Sequence, residues 1–371
     1  MPALLSSTLT TLVLDVRASD VSFGSSRSTD PSTPVFLRSI SGLPSLTSIT
    51  IMSEQLGRRF HKLDLSGLPS LTQLQRLCIQ TKCAVRCTRK QVAALVACRS
   101  LTQLEVGSWA PDSRADLYPE QLTNALGALV HGRQRNGATP LRKFTLSDAS
   151  RRREVVVTPA VAQHLLSLTS LESLDCLQWS CDLTASHWSQ LSLFTNLHTF
   201  HFATQPPRCY FPRGDDDDKA ARDLGFHRAV TALQHCFALR TLSIAGRLAF
   251  RTAHATLLAS LPSLSSLSLT GVLVESLEPL SRAPKLSHLK LDRCFGIEDT
   301  RSEPVCLRSL VPALSQLRSL TLLHDPAEPK SDSTAALFAR LPLLTPAGFR
   351  ASISRTGKLV ISGWCPRPVN M

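Results

Sequence analysis

The sequence predicts an α/β solenoid, with about eleven parallel strands on a concave face and helices on the convex side. Three observations carry this expectation. A pattern L-x-x-L-x-L, with aliphatic or aromatic substitutes, recurs from Leu9 to Leu322. Its first residues lie 22 to 42 positions apart, about 31 on average, which suits one supersecondary unit per repeat. Between these cores lie stretches whose apolar residues recur at helical spacing.

The repeat cores are Leu9/Leu12/Leu14, Leu46/Ile49/Ile51, Leu74/Leu77/Ile79 and Leu101/Leu104/Val106. Leu141/Phe144/Leu146, Leu171/Leu174/Cys176, Leu197/Phe200/Phe202 and Leu239/Leu242/Ile244 follow. Leu264/Leu267/Leu269, Leu286/Leu289/Leu291 and Leu317/Leu320/Leu322 complete the set. Alternation in x-L-x-L-x is the period of a strand, so the leucines point inward and the residues between them face outward. Thr88 stands before Val92, Leu95 and Val96 as a helix N-cap, and Thr158-Pro159 before Ala162, Leu165 and Leu166 does the same with proline at the first helical position. Leu122, Leu126, Leu129 and Val130 form a further helical stripe. Strands alternating with helices require a parallel sheet, and one unit cannot bury its own apolar face, so neighbours must stack.

These motifs resemble the leucine-rich-repeat superfamily over about residues 9–323. The helical returns are similar to its ribonuclease-inhibitor-like and cysteine-containing subclasses. Leu286-x-x-Leu289-x-Leu291-x-x-Cys294 resembles the cysteine-containing repeat of F-box proteins, and residues 264–286 resemble a shorter 22-residue type. The family places Asn or Cys three residues after the last strand leucine, where the side chain satisfies buried backbone groups. Here only Cys294 fits; the other ten positions hold residues such as Arg17, Lys82, Trp179 and Asp325. The resemblance implies a macromolecule-binding module.

The chain is expected to form a single domain over 1–371, with repeats at about 9–323 and a C-terminal cap at about 324–371. Lys358-Leu359-Val360-Ile361 reads as the cap's last strand. Ser/Thr/Pro-rich residues 20–35 and residues 205–222, with the acidic run 215–218, read as loop insertions. The first repeat begins almost at Met1, so either residues 1–8 form a minimal cap or a partner or more chain covers that edge.

The composition, 43% hydrophobic and 19% charged, is that of a core-forming globular chain. The 11 Cys are odd in number, dispersed and without a CxxC pair, which fits free thiols in a reducing compartment. Met1-Pro2-Ala3-Leu4-Leu5 lacks a basic segment, and Asp15 and Arg17 interrupt the apolar run. The expected location is the cytoplasm, with the nucleus as the alternative to it and secretion disfavoured. No apolar run reaches the ~20 residues of a membrane span.

No phosphate loop, nucleophile elbow or zinc-protease helix is present, so no catalytic residue, cofactor or metal is expected. Cys78, Cys83, Cys87 and Cys98 cluster in sequence, but the repeat frame puts Cys78 on the concave face and Cys98 at the end of a helix opposite it. They read as packing residues. The concave face is expected to carry Thr50, Arg76, Glu105, Lys143, Asp175, His201, His288 and Lys290 among many Ser and Thr. With Asp15 and Asp292 it holds four carboxylates against three cations, so the net charge of +13 must lie elsewhere.

A basic rim is the place expected for that charge. Lys82, Arg86, Arg89 and Lys90 fall in a stretch without Asp or Glu, and Arg151, Arg152 and Arg153 fall in the equivalent loop two repeats on. At a strand spacing of about 4.8 Å these loops would lie roughly 10 Å apart, close enough to act as one patch. The function expected is a non-enzymatic scaffold for a protein partner. The alternatives are a substrate-recognition module of a ubiquitin ligase and a binder of acidic or phosphate-rich partners, nucleic acid included, through the rim.

Overall fold

A computed structural model describes residues 8–15, 40–52, 61–79, 83–110, 118–146, 156–204, 216–296, 317–323, 350–353 and 358–362, apart from positions 64, 87, 108, 177, 181, 247, 293 and 318. The chain divides into two compact units, Met1–Gln178 and Trp179–Met371.

In the first unit six parallel strands pair in chain order. They are β1 (Thr11–Asp15), β2 (Ser48–Met52), β3 (Arg76–Ile79), β4 (Gln103–Val106), β5 (Lys143–Leu146) and β6 (Ser173–Cys176). The register aligns each strand leucine with its counterparts, so Leu12, Ile49, Leu77, Leu104, Phe144 and Leu174 form one row. Leu14, Ile51, Ile79, Val106, Leu146 and Cys176 form the next. From β2 onward both rows are fully buried, while Leu12 and Leu14 on the edge strand are half-buried. The strands β2 to β6 start the same way: two successive N–H groups, such as those of Gln75 and Arg76, donate to one carbonyl of the preceding repeat, here Thr47.

The returns of this unit include α1 (Arg89–Ala97), α2 (Tyr118–Arg135) and α3 (Pro159–Leu166), with α1 packed on α2 and α2 on α3. Thr88 and Thr158 are the N-caps: their hydroxyls accept from the N–H groups of Gln91 and Val161. The stretch following β3 forms a short outer strand, Cys83–Arg86, in a parallel three-stranded sheet with His61–Leu63 and Trp109–Ala110.

Arg133 of α2 is 5% exposed and donates to the carbonyls of Leu95, Cys98, Leu101 and Thr139. These carbonyls lie where α1 ends and the chain turns toward β4, and where α2 runs on toward β5; that of Cys98 also accepts from the Leu101 N–H. The planar fork of a guanidinium can reach several acceptors at once. One buried arginine thus closes the turns by which the chain enters β4 and β5. Burial lowers its pKa from the ordinary arginine value, partly offset by Cys98.

The second unit holds five parallel strands in chain order: β7 (Thr199–Ala203), β8 (Thr241–Ala245), β9 (Ser266–Thr270), β10 (His288–Asp292) and β11 (Ser319–Leu323). Six and five make the eleven expected from the leucine pattern. Phe200, Leu242, Leu267, Leu289 and Leu320 are again in register. Beyond them β13 (Lys358–Ser362) pairs antiparallel with β11, and β12 (Arg350–Ile353) antiparallel with β13. The strand expected at 358–361 is therefore present, and it runs opposite to the repeats.

The returns here include α4 (Ala185–Ser189), α5 (Asp216–Leu233) and α6 (Thr252–Ala259), each packed on the next, and α6 packs on a 3-10 turn, Glu278–Arg282. The loop expected at 205–222 is a correction, because its last seven residues open α5. An acidic run suits the positive end of a helix dipole, a signal the loop reading overlooked. The core of this unit is also more aromatic than the aliphatic composition suggested. Trp179, Trp188, Phe202, Phe226 and Phe250 follow one another with ring centroids 5.2 to 6.3 Å apart. The rings come from three successive repeats, Trp179 and Trp188 before β7, Phe202 and Phe226 from β7 and α5, and Phe250 after β8.

Gly246, after β8, has φ +119°, and a Cβ there would run into the buried Thr204 hydroxyl. Gly246→Ala should lower stability by about 2 kcal/mol, combining backbone strain and overpacking. Gly137, at φ +59° with open space around it, is the control, and Gly137→Ala should cost about 1 kcal/mol. Urea unfolding of the two variants measures the difference; equal costs would refute the packing argument. Among the described residues no helix is long and apolar enough to cross a membrane.

Candidate functional site

The sheet face opposite the leucines carries the residues that the strands point to solvent. In the first unit Arg76, Gln103 and Lys143 form one outward row, and Thr50, Cys78, Glu105, Thr145 and Asp175 form the next. Glu105 reaches across its strand neighbours. Its Oε1 accepts from Lys143 Nζ at 2.9 Å and from Arg76 Nη2 at 3.3 Å, and its Oε2 accepts from the Cys78 thiol at 3.7 Å. The Glu105 side chain is 19% exposed, whereas both cations are more open to solvent. Burial and the adjacent carboxylate push the Cys78 thiol pKa up, so it stays a protonated donor.

Glu105 cannot neutralise two cations, so this cluster presents one positive charge held in fixed geometry. Its members lie 29 and 38 residues apart in sequence. The pairwise register was the signal that could have joined them. Thr50 and Asp175 stand in the same outward row as Glu105.

In the second unit Thr199, Thr241, Ser266, His288 and Ser319 form one outward row, and His201, Ser243, Ser268, Lys290 and Thr321 the other. His288 and Lys290 are both exposed, two residues apart on β10. The ring Nδ1 of His288 lies 2.9 Å from the Ser287 hydroxyl. His201 stands three strands away on β7, and its carbonyl accepts from the Trp179 indole. The face is therefore a run of small hydroxyls with charge confined to β10.

The basic rim is placed only in part. Lys82, Arg151, Arg152 and Arg153 lie outside the described residues, and so does the side chain of Arg86, whose backbone belongs to the outer strand. Arg89 and Lys90 are exposed, and they occupy the first turn of α1 instead of a loop.

Four of the five cysteines whose side chains are described serve as hydrogen-bond donors, Cys78, Cys98, Cys236 and Cys294. Cys294 Sγ donates to Leu269 O at 3.4 Å and to Asp292 O at 3.6 Å, tying the turn after β10 to the preceding strand. Burial pushes its pKa up to about 11. Cys98 donates to Ala94 O and Cys236 to Leu191 O, with burial pushing their pKa values to about 11 and about 12. Cys176 takes its strand-core position and is fully buried.

In-register rows of strand leucines, helical returns and one solvated sheet face define a leucine-rich-repeat solenoid. No family model matches the sequence, and no curated protein matches it. Among solved structures the chain is similar to internalin C2 of Listeria monocytogenes, at 15% identity and TM-score 0.36, covering 70% of this chain and 84% of that one. It is also similar to a second Listeria monocytogenes internalin, inlF, at 18% identity and TM-score 0.42, covering 77% and 69%. A leucine-rich-repeat protein of Leptospira interrogans matches at 14% identity and TM-score 0.39, covering 87% and 80%.

Proposed function

We propose that the chain is a non-enzymatic scaffold that binds a protein partner through the outward sheet face. Repeat solenoids present extended surfaces of this kind. The observation that carries the reading is the pair of outward rows on β7, β8, β9 and β11, Ser or Thr at every position but His201 and each partly exposed, beside the exposed His288 and Lys290. Such a face offers hydroxyl donors and acceptors over several repeats with little charge to desolvate, which favours a folded protein over a phosphate backbone. A cytoplasmic location belongs to the proposal. Cys98, Cys236 and Cys294 each use the thiol proton to satisfy a carbonyl, a role that needs the reduced form.

The test fills the face without touching the core. Ser243→Arg with Ser268→Arg places two long side chains in the middle of the outward row. Affinity capture with quantitative mass spectrometry should show at least a tenfold loss of the partners specific to the wild type. Unchanged recovery of every specific partner would remove this face from the function.

A further inference from the structure

We propose a second docking surface, separate from the sheet face, on the rim of the second unit where its strands begin. Its occupant is an extended acidic segment of a protein that carries an apolar anchor residue. The turns leading into β7, β8, β9 and β10 cover residues 190–198, 234–240, 260–265 and 278–287, and their one carboxylate is the exposed Glu278, at the far end of the 3-10 turn from Arg282. They present Arg240, Arg282 and Lys285, all exposed, and none forms an ion pair among the described residues. Beside them stand the two most exposed large apolar side chains among the described residues, Phe237 at 64% and Leu193 at 57%.

These two positions belong together. Leu193 ends the 3-10 stretch Gln190–Leu193 within the turn before β7, and Phe237 lies in the turn before β8. The Cys236 thiol, next to Phe237, donates to the carbonyl of Leu191, so the two turns are tied side by side. The repeat positions matching Phe237 in the other three turns hold Thr195, Pro262 and Pro284, residues that suit a solvated turn. A phenylalanine there adds nothing to the core, in which Cys236 already takes the inward position.

The layout is linear. Three strand spacings separate β7 from β10, about 14 Å, which an extended chain covers in about four or five residues. An apolar anchor over Leu193 and Phe237, followed by carboxylates over Arg240 and then over Arg282 and Lys285, matches that spacing and sign. Unpaired arginines are suited to bidentate capture of carboxylates. An anionic membrane would call on the same charges, but it needs a broad planar patch where this surface is one file of residues along an edge.

Selection of a displayed random dodecapeptide library on the full chain tests the proposal, followed by fluorescence polarisation of the enriched peptides. Enriched peptides should carry Asp or Glu C- or N-terminal to an aromatic or leucine. Arg240→Glu with Arg282→Glu and Lys285→Glu should weaken them at least tenfold, and so should Phe237→Ser with Leu193→Ser. All five side chains are exposed, and circular dichroism melting checks that the variants keep their fold. Ser243→Arg with Ser268→Arg should leave the peptides bound, which separates this surface from the sheet face. Loss of binding in that variant, peptides without acidic residues, failure to enrich any peptide, or insensitivity to both rim variants overturns the proposal. So does binding to phosphatidylserine vesicles that the rim variants abolish while peptide binding persists.

Discussion

Arg133→Met should destabilise the first unit by about 3 to 5 kcal/mol, more than any single core truncation to a neighbouring aliphatic. Methionine keeps much of the buried stem and removes only the guanidinium. Four carbonyls then lose a donor: those of Leu95, Cys98 and Leu101 are buried, Cys98 O keeping only the Leu101 N–H, and that of Thr139 stands at a part-buried edge. Each buried polar group left unsatisfied costs about 1 to 3 kcal/mol, and hydrogen bonds to a charged donor stand at the upper end. Partial water entry and loss of the arginine's own desolvation penalty offset part of this, which sets the range. Arg133→Lys should recover little, because an ammonium is a point donor and cannot span carbonyls on both α1 and the turns toward β4 and β5. Urea unfolding followed by circular dichroism measures the cost. A loss below about 1 kcal/mol in the methionine variant would mean that the carbonyls find other donors and that the arginine is not what closes this turn.

The leucine pattern located the eleven parallel strands of the long sheet, because each inward position is fixed twice, by alternation along the strand and by register with its neighbours. The N-caps at Thr88 and Thr158 were legible for a similar reason: the signal is local and lies within four residues. Arg133 was not legible. Its acceptors on and after α1 lie 32 to 38 residues away, and an arginine near the end of a helix reads as an ordinary surface residue. The outer strands escaped because two to four residues are too short for a period to show. The antiparallel pairing of β13 escaped because a single strand pattern carries no direction. On the sheet face, Arg76, Glu105 and Lys143 were each identified as outward, but their joining through Glu105 depends on reach across two strands. The basic rim rested on charge counts alone, and only Arg89 and Lys90 among its members are placed with their side chains.

Acidification should weaken the second unit through His254, by up to about 3 kcal/mol between pH 6.5 and pH 4. His254 of α6 is 3% exposed and rests against the rings of Phe226 and Phe250. Its Nδ1 accepts from the backbone N–H of Arg251 at 3.0 Å, which fixes the remaining proton on Nε2. That N–H faces Nδ1 of His227 on α5 at 3.2 Å and donates to it. Burial, then His227 and Arg251, lower the pKa to about 4, with Asp223 and the Ala249 backbone acting in the opposite sense. The unfolded chain takes up this proton near the ordinary value of 6.5, so between about 6.5 and about 4 it binds more protons than the folded one. Stability therefore falls as pH falls through that window and is unaffected by this group above it. The 2.5-unit interval sets the upper limit of about 3 kcal/mol, and about 2 kcal/mol should already be lost at pH 5. Below pH 6.5 the same sign applies to His164 in the first unit, whose pKa burial and His131 also lower. His254→Gln isolates the effect, since an amide can accept from Arg251 and donate to His227 without taking a proton. Urea midpoints at pH 7.5 and pH 5 should separate by less in the glutamine variant than in the wild type. If both chains lose the same stability between the two values, the buried imidazole is not the group that senses acid.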